Sequence, residues 1–311
     1  MPRISKLFSS LFLLAVAIGP LAATPLADVA FNYNVFVTGN FTAQYSDIEG
    51  GLAAGGTVNL NGYYVGMNLG STDFSTSGGY SLVAATDLIA TGGTGQGNVY
   101  DGSAGGLNGF TVFGKLTNGG GSPIDFAAAG TELSSLSALL AASPTSAGGG
   151  CALVYSTVTC TATEHGINYI NVSDAVLTSG SEIKFVSKYS DATIILNVSG
   201  LSSNIGGGGW TFVNTSSNHV LLNFYDASAL SLNGSLSASI LASGANVTGT
   251  WGAMNGTLIA KSYNGSMQFN NHPFTGELPH TATPEPATFA LAGMALLGLS
   301  VLRRRGNAAG R

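Results

Sequence analysis

The chain has 311 residues, a net charge of −5, only 8 % charged residues and 45 glycines. Ordinary globular domains carry roughly a quarter charged residues, yet 45 % hydrophobic content with 15 Phe and 11 Tyr supplies a core and excludes a disordered chain. Between residues 28 and 283 there are four lysines (Lys115, Lys184, Lys188, Lys261), no arginine and 14 acidic residues (15 less Glu285), so that span carries 4 − 14 = −10 and is repelled by nucleic acid.

The first 27 residues read as a signal peptide. Arg3 and Lys6 precede an apolar run over residues 7–18, Gly19-Pro20 breaks it, and Ala22, Ala23 and Ala27 offer small residues for cleavage. The chain is therefore expected to leave the cytoplasm through a secretion translocon. Residues 28–280 then form the expected body of the protein.

Within that body, short apolar runs recur at 35–37, 57–60, 81–84, 111–113, 182–186, 193–198, 219–224 and 256–260, separated by Gly, Asn, Ser and Asp. Frequent turn signals between β-branched runs predict a mainly β fold. The spacing is uneven, so no repeat is read from it. Tight glycine runs such as 50–56 suit a β-solenoid, a β-helix-like stack of coils with glycine corners. Alternations at 230–233 and 236–240 suit a β-sandwich instead.

Asp47 and Glu49 are the best acidic pair. On a strand they share a face, where they suit Ca²⁺ or acid–base chemistry. The simpler reading is a pair that satisfies backbone groups at a corner or points to solvent, since two carboxylates without further oxygen ligands make a weak metal site. One helix is expected: Asp125 opens it, and Phe126, Ala129, Leu133, Leu136, Leu139 and Leu140 recur at three- and four-residue steps until Ser143-Pro144. It should lie along the β-structure and cover apolar strand surface. Residues 145–150 read as a flexible connector. Cys151 and Cys160 are the only cysteines, and an exported chain should join them as a hairpin disulfide.

The four histidines show no metal-ligand spacing, and no nucleophile elbow or phosphate loop is present. No cofactor and no enzymatic activity are expected. Tyr63-Tyr64, Tyr80, Tyr100 and Trp251 are candidate surface contacts that are equally plausible as core. Eight Asn-x-Ser/Thr triplets, among them those at Asn171 and Asn197, follow from composition.

Residues 281–311 form a tail. Pro284-Glu285-Pro286 is followed by sixteen uncharged residues (287–302) and Arg303-Arg304-Arg305. Sixteen helical residues span about 24 Å, slightly short of a bilayer core, with the arginines on the cytoplasmic side. This tail resembles the PEP-CTERM sorting signal. The resemblance implies a transient inner-membrane anchor, removed by an exosortase-type enzyme that recognises the Pro284-Glu285-Pro286 region.

Residues 34–42, 46–60 and 256–279 resemble a second family, the choice-of-anchor A domain of bacterial surface proteins. That resemblance implies an adhesive domain of β-helix-like fold with a flanking helix, related in style to ice-binding β-solenoids, and it carries no catalytic residues. The expected function is a noncatalytic cell-surface or extracellular-matrix protein that adheres to polysaccharide or neighbouring cells. Ice binding and a polysaccharide-active enzyme are the alternatives; rows of Thr for the former are not visible in the sequence.

Overall fold

A strand of three or four apolar residues buries too little surface to persist alone, and this chain stacks such strands in parallel until they share one core. The computed structural model describes residues 26–69 and 79–279. The expected signal peptide apart from its last two residues, the expected hydrophobic tail helix and Pro284, Glu285, Pro286, Arg303, Arg304 and Arg305 lie outside the described residues. Twenty-one of the described strands form one parallel sheet that wraps around the core, and four more form a second sheet. The solenoid expectation holds. The β-sandwich does not, because successive coils pair in parallel rather than as hairpins.

Three faces result. On the first, one inward column runs Ile170, Leu196, Leu222, Ile240, Leu258, Val35, Leu52, Leu82, Val99, Leu116, each paired with the next. All but Leu116 are fully buried. Stacking identical or similar side chains at the ~4.8 Å strand spacing excludes water from the whole column.

Chain order within this stack is broken. Residues 35–118 wind from the middle of the stack to one end. The chain then returns, and residues 150–270 wind from the far end back to the middle. Strand Val35–Val37 is thus flanked by 258–260 on one side and Leu52–Ala54 on the other. Asn34 fastens the junction. Its amide donates to the carbonyls of Gly256 (2.8 Å) and Asn270 (3.1 Å), and its Oδ1 accepts from Gly50 N.

Three α-helices accompany the coils among the described residues: α1 (Leu26–Phe31), α2 (Phe126–Ala142) and α3 (Asp174–Leu177). Asp125 caps α2 by accepting from Ala128 N at 3.0 Å. The helix buries Phe126, Ala129, Leu133, Leu136 and Leu140 against outward side chains of the first face, including Phe36, Ile259, Leu241 and Leu221. Toward its C-terminus those partners become Asn223, Asn197 and Asn171. Their amides donate to Ser137 O (2.9 Å), Leu140 O (2.7 Å) and Ser143 O (3.1 Å). They also bond one another, Asn223 to Asn197 and Asn197 to Asn171, each at 2.9 Å. The match is geometric: three helical residues rise about 4.5 Å, close to one strand spacing. The asparagine ladder therefore satisfies carbonyls in the last turns of the helix one coil at a time.

Residues 145–149 cap the stack edge rather than swing free. Ser146 N donates to Tyr169 O at 2.8 Å, and Thr145 Oγ1 accepts from Asn171 N. Gly150 already belongs to strand Gly150–Val154, which pairs antiparallel with Thr157–Ala162 and places Cys151 opposite Cys160. The disulfide between them is formed. This hairpin begins the second sheet, which continues through Glu182–Ser187 and Gly209–Val213.

Candidate functional site

The second face is built from eight stretches: Ser202–Gly206, Ala229–Asn233, 246–249, 262–265, Phe41–Gln44, 58–61, 88–91 and Leu107–Asn108. Alternation sends Leu230, Val247, Tyr263, Phe41, Val58 and Leu88 inward, where all are buried. Their neighbours point outward, and among the described residues no element covers them. The central outward row reads Asn204, Ser231, Thr248, Asn264, Thr42, Asn59, Ile89. Seven strand spacings make this open face about 34 Å long.

None of its eight stretches contains Asp, Glu, Lys, Arg or His. Neighbouring outward groups hold each other: Ser231 and Thr248 hydroxyls at 3.2 Å, Ser262 Oγ to Asn246 Oδ1 at 2.7 Å, Thr250 Oγ1 to Asn233 Oδ1 at 3.1 Å, Asn233 Nδ2 to Asn204 Oδ1 at 2.5 Å. Side chains ordered before binding lose little rotamer entropy on contact. The sequence reading missed these rows because their members lie 16 to 29 residues apart. Thr does recur there, as Thr248 and Thr42, but in a mixed row with Asn and Ser.

The third face has short strands: Leu236–Ser237, Ala253–Asn255, Gln268–Asn270, Asp47–Ile48, 63–65, 93–95 and Thr111–Val112. Asp47 and Glu49 fall here, at the rim of the junction. Glu49 accepts from Asn271 N at 2.8 Å, tying the first coil to the end of the last. Asp47 is held above the usual carboxylate range, first by partial burial and then by Glu49, against a hydrogen bond from Gln268. No group of three or more His, Cys, Asp or Glu that could hold a metal occurs among the described residues.

The aromatic candidates divide. Tyr63 and Tyr100 are core, with hydroxyls donating to Met267 O (2.8 Å) and Gly120 O (3.1 Å). Burial raises the Tyr63 and Tyr263 hydroxyls above their ordinary pKa. Tyr80 is half-buried, while Tyr64 and Trp251 are exposed. His165 pairs with Asp191 at 3.0 Å and stacks on Tyr189, fully at the surface. Residues 271–279 run along the corner between the short-stranded and helix-bearing faces. There Phe274 meets Phe31 at 5.7 Å, Thr275 N donates to Asn218 O and Glu277 N to Thr193 Oγ1. This corner does not border the open face.

Residues 26–271 match the protein family described as "Putative Ice-binding-like adhesive domain". The chain belongs to that family. A second match, over residues 282–305, is to the PEP-CTERM protein-sorting motif. This member of the ice-binding-like adhesive family is also similar to two solved structures. An ice-binding protein from the Antarctic ascomycete Antarctomyces psychrotrophicus shares 13 % identity, with 81 % of this chain and 98 % of that one covered at a TM-score of 0.38. An ice-binding protein from an Antarctic biological consortium shares 13 % identity, with 86 % and 94 % covered at a TM-score of 0.35. No curated protein matches.

Proposed function

We propose that this family member is an exported, noncatalytic surface or matrix protein that adheres through its open face. The observation that carries the reading is the pre-ordered polar row of the open face, whose eight stretches hold no charged side chain. A domain that is otherwise strongly acidic keeps Asp and Glu, and Lys, Arg and His, out of these eight stretches. Such a surface suits an uncharged, hydroxyl-rich partner, bound by many weak contacts.

The further details belong to the same reading. The signal peptide hands the chain to a secretion translocon. An exosortase-type enzyme recognises Pro284-Glu285-Pro286, with Arg303, Arg304 and Arg305 holding the transient inner-membrane helix, and removes residues 287–311. The likeness of residues 31–280 to choice-of-anchor A domains agrees with an adhesive role. Asp47 and Glu49 serve as a structural clasp in this reading, without Ca²⁺ or another cofactor. The groove beside α2 is lined by Thr38, Phe126, Gly130, Thr131 and Lys261 among others.

Deleting the gene should reduce cell aggregation and surface attachment. Unchanged attachment with an altered matrix composition would replace adhesion with a structural role. Intact-mass analysis of protein from the envelope should show residues 287–311 missing and both cysteines oxidised. Ice binding is a second reading, favoured by the parallel register of the open face and its hydrogen-bonded rows. Its central row is mixed, with Ile89 at one end, and a thermal hysteresis assay of the purified domain should give none.

A further inference from the structure

Two aromatic rings stand at the corner between the open and short-stranded faces. Tyr45 is 72 % exposed and Trp251 is 61 % exposed. Each follows an open-face stretch by the same step: Gly249, Gly265 and Ala43 pair across three successive coils, and Trp251 and Tyr45 each lie two residues further on. Their backbones are thus two strand spacings apart, about 10 Å.

Both rings lie against a glycine of the adjacent coil. A Cβ on Gly62 would meet Tyr45 Cδ1 at 3.3 Å, and a Cβ on Gly234 would meet Trp251 Cη2 at 3.2 Å; both glycines have positive φ, +54° and +74°. The rings lean in opposite directions along the solenoid axis, so their centres are about three spacings, or ~14 Å, apart. The floor between them is Gly265 and half-buried Ser266. Tyr45 is itself held at φ +55°, a region that bulky side chains rarely occupy. Its hydroxyl accepts from Asn61 Nδ2 at 3.1 Å. A solvent-facing tyrosine kept in a costly backbone conformation, where glycine would sit without strain, points from an observed outlier to a use.

We infer that Trp251 and Tyr45 form a two-point stacking platform for an extended, uncharged glycan chain lying along the solenoid axis, with the amides and hydroxyls of the open face bonding its edge. This deepens the adhesive reading and rests on it. Sugar rings present apolar C–H faces that stack on aromatic rings and equatorial hydroxyls that need donors and acceptors alike. Asn, Ser and Thr side chains supply both. The absence of charged residues from the open face's eight stretches selects a neutral chain over an acidic polysaccharide. The ring separation requires a chain of several sugars to touch both.

The test is titration of the purified domain with cellohexaose and chitohexaose, read by tryptophan fluorescence and calorimetry, against hexasaccharides of alginate as the charged control. Trp251 is one of only two tryptophans, so its emission should change on binding. Trp251→Ala and Tyr45→Gly should each weaken binding about tenfold, and the double variant should abolish it. Trp251→Phe and Tyr45→Phe should retain most affinity, which separates a stacking role from a folding defect. Affinity should rise steeply between disaccharide and hexasaccharide and stay flat from 50 to 500 mM salt. Neutral-glycan binding that survives the double variant, preference for alginate, or no binding to either neutral hexasaccharide overturns the platform. Beads coated with wild-type domain, applied to cells, keep the two readings apart. Adhering beads with a failed titration sink only the glycan platform, whereas non-adhering beads sink the adhesive reading.

Discussion

The helix-bearing face and the open face are made from the same coils, with the same parallel pairing, and differ in what their strands send outward. On the first, the outward column reads Asn171, Asn197, Asn223, Leu241, Ile259, Phe36, Ala53, Val83, Tyr100. On the second it reads Asn204, Ser231, Thr248, Asn264, Thr42, Asn59, Ile89. Six apolar residues in file cannot stay in water, and α2 with its neighbouring segments covers most of that column. The polar row needs no cover. Backbone architecture is thus common property, and a few outward side chains decide which face is buried for stability and which is left for contact. Asparagine serves on both, bonded to the helix on one and to its row neighbours on the other.

That comparison breaks most readily at Phe36, which stacks on Phe126 at 5.2 Å. Phe36→Ala should cost about 3–4 kcal/mol in urea unfolding, whereas Thr42→Ala, its counterpart on the open face, should stay within ~0.5 kcal/mol. Equal losses would mean that the open face is also covered. Asn197→Ala removes the central rung of the ladder and leaves Leu140 O and a neighbouring amide unsatisfied, at about 2–3 kcal/mol. Asn264→Ala on the open face should be nearly silent by the same measurement. Reducing the Cys151–Cys160 bridge should cost about 2–3 kcal/mol in the chain-entropy model, tested by melts with and without reductant.

Titration sharpens the same contrast, since the open-face stretches carry no carboxylate, amine or imidazole. Buried Tyr63 and Tyr263 keep their protons in the folded state to higher pH than in the unfolded chain. Their contribution is fully present below the unfolded tyrosine pKa of about 10 and falls as pH rises from there through the raised native values. Tyr63→Phe should flatten alkaline destabilisation above pH ~10. Asp47 follows the same sign at lower pH. Its contribution is present below the ordinary carboxylate range and lost as pH rises through its raised native pKa, so Asp47→Asn should be slightly stabilising at neutral pH. The smallest expected effect is that of Tyr45→Gly on stability. Relief of the left-handed backbone, worth about 1–2 kcal/mol, is largely offset by glycine's extra unfolded-chain entropy, so the melting temperature should barely move.

Much of this was readable in advance. The step pattern from Phe126 to Leu140 predicted α2, because helix periodicity is local. The nine-residue separation of Cys151 and Cys160 predicted a hairpin staple for the same reason. The ladder left a trace that spacing arguments overlooked: Ile170-Asn171-Val172, Leu196-Asn197-Val198 and Leu222-Asn223-Phe224 repeat one triplet every 26 residues. Two of these asparagines instead appear in the sequence as glycosylation-type triplets. The repeat stays hidden overall because other coils advance by 17 or 18 residues, and that from Leu52 to Leu82 by 30.

Composition and local pattern alone determined a β-rich, acidic chain with one amphipathic helix, a local disulfide and a sorting tail, because each depends on neighbours within a few turns of chain. Tertiary structure decided the broken coil order, with Val35 between Leu258 and Leu52, and so decided which Asn, Ser and Thr stand in file. Parallel pairing joins residues through hydrogen bonds between coils, and no rule of local spacing says which coil will lie next to which.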